Sequence, residues 1–161
     1  MIAENVKEVE EHILAACERS HRDRSEITLI AVSKTKPVSD IEEAIQCGMT
    51  EFGENKVQEL MTKMEEIHAD VKWHLIGHLQ TNKVKYVVDR GLLIHSVDSL
   101  KLAKEIQKEA SKKQVVCDIL LEVNVAQEES KYGFACEEVL DAVNTIATYP
   151  DSWLNDDCSL C

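Results

Sequence analysis

Residues 27–37 read ITLIAVSKTKP. The first seven are β-branched and almost continuously apolar, the pattern of a strand buried on both faces. Lys36-Pro37 closes the segment, because the residue before proline is held extended. On the N-terminal side, Ile2, Val6, Val9, Ile13 and Ala16 recur at spacings of four, three, four and three. That predicts a helix with one apolar stripe, ending near HRDR at 21–24. On the C-terminal side, Ser39 and Glu42 have capping-box spacing ahead of Ile41, Ala44 and Ile45, with Gly48 as the stop. Helix, strand and helix therefore surround this turn.

The cycle repeats along the chain. Short strands are predicted at 50–53, 72–76 and 92–97, and a longer one, VVCDILLEVNV, at 115–125. Each is followed by a helical pattern. Val57, Leu60, Met61, Met64 and Ile67 face inward after the second strand, and a short helix at 82–88 follows the third. The next helix, with Leu100, Ala103 and Ile106, reads as capped by Asp98, and the last carries Cys136, Val139, Leu140, Val143 and Ile146. Strand starts near 27, 50, 72, 92 and 115 are 20 to 23 residues apart. Strand and helix alternating at so even a spacing predict βα units and a parallel sheet. Right-handed crossovers then allow either an open doubly wound sheet or part of a barrel.

Composition narrows the partners. The 161 residues carry 18 Lys and Arg against 30 Asp and Glu, a formal charge of −12. That balance argues against nucleic acid, whose phosphates require a positive footprint. No run of about 18 apolar residues exists to span a membrane. The N-terminus MIAENVKEVEEHILAA carries acids rather than a basic start and an apolar block, so a cytoplasmic protein is expected. Six scattered cysteines fit reduced, mostly buried thiols. Cys158 and Cys161 form a CxxC with no second ligand pair, which reads as incidental.

Functional groups of a parallel α/β fold gather at the carboxyl ends of its strands. Those ends hold Lys34 and Lys36, Glu54 and Asn55, Gly77 and His78, Asp98, and Asn124. Lys34 sits at the mouth of an apolar strand, where desolvation disfavours the ammonium form and leaves an amine able to condense with an aldehyde. Strand alternation places Lys34 and Lys36 on the same face, so periodicity does not choose between them. His74 and His78 are four apart, but the run WHLIG between them reads as a strand, so each is expected to be structural rather than a ligand. Met61 and Met64 fall on a packing stripe, and Asp98 is accounted for as a helix cap. Neither GxGxxG nor GxxxxGK is present.

Four runs in order, AVSKTKP (31–37), FGENKVQE (52–59), WHLIGHLQTNK (73–83) and EVNVAQEESKYGF (122–134), resemble the pyridoxal phosphate homeostasis protein family. The resemblance extends from about residue 5 to 148, with Leu75 a minor departure from the usual Phe or Met. It implies a (β/α)8 TIM barrel of the alanine racemase N-terminal domain type. Pyridoxal 5'-phosphate would be held as a Schiff base on Lys34, the first lysine of SKTKP, with Asn55 and Asn124 lining the mouth. Lys131, in the ESKYG stretch, has two readings, a second lysine near the pocket and, the stronger, a solvated loop residue. The implied role is holding and supplying the cofactor without catalytic turnover, with enzymes that use it as clients. Oligomeric state stays open.

A complete barrel takes about 250 residues, whereas about five βα units are legible here. The expectation is therefore an incomplete barrel over 1–148 with a leading helix, and a divergent tail over 149–161. The rival readings are an amino-acid racemase and a shortened form that no longer binds the cofactor. Racemisation needs bases on both cofactor faces, and the alanine racemase type draws a tyrosine from a second domain. This chain offers Tyr86, Tyr132 and Tyr149.

Overall fold

The computed structural model describes residues 1–150 and the backbone of residues 152–154. Helix α1 (Ile2–Ser20) is followed by β1 (Ala31–Val32), α2 (Val38–Gln46), β2 (Glu51–Glu54), α3 (Val57–Glu66) and β3 (Lys72–Leu75). Then come β4 (Leu93–Val97), α4 (Leu100–Lys113), β5 (Cys117–Leu121), α5 (Val139–Ile146) and β6 (Ser152–Leu154). Short 3-10 turns lie at Arg24–Glu26, Thr81–Tyr86 and Cys136–Glu138.

The strands pair in the order β1-β2-β3-β4-β5-β6, every pair parallel. This order decides between the two topologies left open by the sequence. A doubly wound sheet reverses its strand order at a switch point, whereas a barrel wall adds each strand beside its predecessor. The wall is what forms. Residues 152–154, within the 149–161 segment set apart on sequence, add a sixth strand through Cys117↔Ser152, Asp118↔Trp153 and Ile119↔Leu154.

Partners in register share a face of the sheet. Phe52 and Trp73 form one outward row, and Leu75, Ile94 and Ile119 form another. All five are buried against a layer to which the helices contribute Ile41, Leu60, Leu102, Ile106 and Ile146. The opposite, concave face carries Val32, Gly53, His74, Leu93 and Asp118 in one row. Val32 is 53% exposed there. The first strand is therefore not buried on both faces, and its ladder covers Ala31–Val32 rather than 27–33.

Several local expectations change in three dimensions. Ser99, not Asp98, caps α4, its hydroxyl accepting the Leu102 N–H at 3.2 Å. Pro37 precedes α2 with no side-chain cap, so Ser39 and Glu42 form no capping box. On α3 the buried positions are Leu60 and Lys63, while Met61 and Met64 are half-buried. The helix expected at 82–88 is the 3-10 turn Thr81–Tyr86. Cys17, Cys47, Cys117 and Cys136 are free thiols, and burial pushes the Cys117 thiol up to about 12. Cys158 and Cys161 lie outside the described residues. Among the described residues no helix is long and apolar enough to cross a membrane, and no cluster suits a metal ion.

Candidate functional site

The chain leaves β1 through a tight turn. Ser33 continues the ladder by donating its N–H to the Gly53 carbonyl at 3.0 Å, and the Lys36 N–H returns to the Ser33 carbonyl at 3.1 Å. Thr35, inside that turn, has φ +63°. The turn separates the two lysines that strand alternation placed together. Lys34 lies in that turn, two residues after Val32 of the concave-face row; it is exposed, and its side chain makes no hydrogen bond or ion pair among the described residues. Lys36 lies past the reversal, lining a surface hollow between α2 and α3 with Val38, Lys56 and Thr62.

Beneath the turn, on the helix side of the sheet, sits a cluster that sequence reading did not find. Lys63, only 4% exposed, donates from Nζ to the Ser33 carbonyl at 2.7 Å, Glu54 Oε1 at 2.6 Å and Glu59 Oε1 at 2.7 Å. The Ser33 hydroxyl donates to the same Glu54 oxygen at 2.6 Å, and the Thr35 N–H to Glu59 Oε1 at 2.6 Å. Burial opposes charge on Lys63, but the hydrogen bonds from Glu54 and Glu59 outweigh it and hold the ammonium above its ordinary pKa. The Lys63 hydrogen bond holds the Glu59 carboxyl below the usual range against burial, and Thr35 adds to this. The one sequence clue was Lys63 falling within the apolar arc of α3, between Leu60 and Met64.

Asn55 follows Glu54 and packs its backbone against Gly77, two residues beyond the end of β3. Asn124 is committed locally: its Nδ2 donates to the Glu128 carbonyl at 2.8 Å, and its Oδ1 accepts the Glu128 N–H at 3.3 Å. The loop it closes returns along β5, with Phe134 N–H on the Glu122 carbonyl and Asn124 N–H on the Phe134 carbonyl. His78 and Asp98, at the ends of β3 and β4, meet at 3.1 Å through Nδ1 and Oδ2. The Tyr132 ring stacks on His78 with centroids 3.9 Å apart. Burial, with Asp98 adding to it and His78 opposing, raises the nearby Glu122 carboxyl above the usual range. Asp98 thus belongs to the strand-end group that its reading as a cap had removed it from.

Deeper on the concave face, His74 Nε2 meets Glu51 Oε2 at 2.7 Å and His74 Nδ1 meets His95 Nε2 at 2.9 Å. Burial and the neighbouring His74 lower the His95 pKa to about 4. His74 and His78 therefore have separate partners, as expected of a strand residue and one beyond the strand's end.

A parallel strand wall with a lysine at its first carboxyl edge, unpaired among the described residues, defines the class. The chain belongs to the alanine racemase N-terminal domain family, whose model matches residues 2–155. Its sequence is similar to pyridoxal phosphate homeostasis proteins. It is 47% identical over 137 residues to that of Aquifex aeolicus, covering 84% of this chain and 60% of the relative. It is 37% identical over 153 residues to that of Escherichia coli K12, covering 92% and 65%. The chain thus spans less than two thirds of the length of these relatives. PipY of Synechococcus elongatus, solved with pyridoxal phosphate bound, superposes with TM-score 0.77 at 32% identity, covering 96% of this chain and 68% of PipY. A histidine racemase from Leuconostoc mesenteroides shares the fold at TM-score 0.74 and 14% identity, over 94% of this chain and 38% of the racemase.

Proposed function

We propose that this chain binds pyridoxal phosphate covalently through Lys34 and takes part in cofactor homeostasis rather than catalysis. The observation that carries the reading is the turn after β1. It carries Lys34, exposed at the carboxyl end of β1, with no carboxylate on its amine among the described residues, while Lys36 lines a surface hollow between α2 and α3. When bound, the cofactor supplies an aldehyde, the group with which a free lysine amine condenses. The donor set at this edge fits it: an amine with no partner among the described residues is what attachment needs. Asn55 lines the same edge. Asn124, its amide holding Glu128, shapes the mouth through its loop.

Support comes from the homeostasis proteins named above and from PipY, which holds the cofactor on a similar fold. On this reading the chain works in the cytoplasm, enzymes that use the cofactor are its recipients, and no turnover occurs at Lys34. The test is titration of the protein with pyridoxal phosphate, followed by visible absorbance. The native chain and Lys36→Ala should develop the adduct band, and Lys34→Ala should not. A band of native size in Lys34→Ala would overturn the reading.

A further inference from the structure

We infer that Glu59, working with the buried Lys63, is a positioning residue that fixes the Lys34 backbone in its reactive arrangement. The inference rests on the proposed role of Lys34. The peptide groups on both sides of Lys34 belong to one cluster: the Ser33 carbonyl accepts from Lys63 Nζ, and the Thr35 N–H donates to Glu59 Oε1. Glu59 and Lys63 are themselves joined at 2.7 Å, one helical turn apart on α3. A threonine with φ +63° occupies a conformation that β-branched residues resist. The bond to Glu59 therefore holds what local preference would release.

The cluster makes poor sense as a simple source of stability. Two charges taken from water recover their desolvation only with complete hydrogen bonding, and Glu54 Oε2 is buried with no partner. What the arrangement does supply is geometry. It ties α3 and the end of β2 to the single turn that carries Lys34, and it does so from the helix side, leaving the concave face clear. Productive reaction depends on such placement, since a shift of about 1 Å costs up to a hundredfold in rate.

Glu59 is the informative position, because it is partly exposed and its loss leaves the Lys63–Glu54 bond in place. In the full chain, Glu59→Ala should fold with nearly native circular dichroism and thermal midpoint, yet form the pyridoxal phosphate adduct about tenfold more slowly. Glu59→Gln keeps an oxygen acceptor for the Thr35 N–H and should recover most of the rate. Amide hydrogen exchange at Thr35 should accelerate in Glu59→Ala and not in Glu59→Gln. A native adduct rate in Glu59→Ala, with the native chain labelled on Lys34, would overturn the positioning role and leave the attachment site standing. Failure of the native chain to form an adduct on Lys34 would overturn both.

Discussion

Gly77 and Asn55 meet backbone to backbone: a Cβ built on Gly77 would fall 2.7 Å from the Asn55 Cα and closer still to its carbonyl oxygen. The contact sits at the carboxyl edge where β2 and β3 end, one residue after Ile76 donates to the Glu54 carbonyl at 2.9 Å.

Gly77→Ala should therefore destabilise the fold by about 1–3 kcal/mol, because the obstructing atoms are backbone and have no rotamer in which to yield. At roughly 2–4 °C per kcal/mol for a chain of this size, thermal unfolding should move visibly. It should carry Asn55 out of line and weaken cofactor retention with it. An unchanged melting midpoint would show that the two strand ends separate freely.

Acid stability should depend on His95. Its pKa of about 4 in the fold, lowered by burial and by His74, lies below the unfolded value of about 6.5. The neutral ring is thus favoured by folding. Its contribution is fully present above about pH 6.5 and is lost as pH falls through the window down to about 4. The loss should be on the order of 2–3 kcal/mol, allowing for partial exposure of the ring. Urea unfolding at pH 7 and pH 4.5 should show a smaller drop for His95→Gln than for the native chain. Equal drops would mean that other groups carry the acid sensitivity.

Tyr132 fastens the 124–134 loop to the sheet by stacking on His78. Such a pair contributes about 0.5–1.5 kcal/mol, so Tyr132→Ala should open the loop roughly two- to tenfold more often. Lys131 offers trypsin a site within it. Cleavage after Lys131 should accelerate by that factor, with the rest of the digest unchanged. An unaltered rate would place the hold on the loop elsewhere, as in the Asn124–Glu128 pair.

No racemase chemistry is expected. In deuterated buffer with bound cofactor, alanine should not exchange its α-proton above the rate with free pyridoxal phosphate. Exchange at an enzyme-like rate would move the chain from holding the cofactor to using it.

The alternation of strand and helix, and hence the parallel sheet, was legible in sequence because buried parallel strands are apolar runs and their helices keep a 3.6-residue stripe. The choice between barrel wall and doubly wound sheet was not, since both share that pattern and only pairing order differs. Lys34 could be named from its motif, but its separation from Lys36 required the left-handed Thr35. Lys63 and Asp98 escaped for a common reason. A lysine on a helix, four residues after Glu59, and an aspartate before a helix each have an ordinary local explanation, and the further partners 30 and 20 residues away leave no local trace.

The attachment site is the central claim, and borohydride reduction of the cofactor-loaded protein followed by peptide mass mapping tests it most directly. Reduction makes the bond between lysine and cofactor permanent, so the modified residue is read from the peptide that carries the added mass. The adduct should map to Lys34 alone, persist in Lys36→Ala and vanish in Lys34→Ala. An adduct on Lys36 or Lys131, or none on the native chain, would contradict the account.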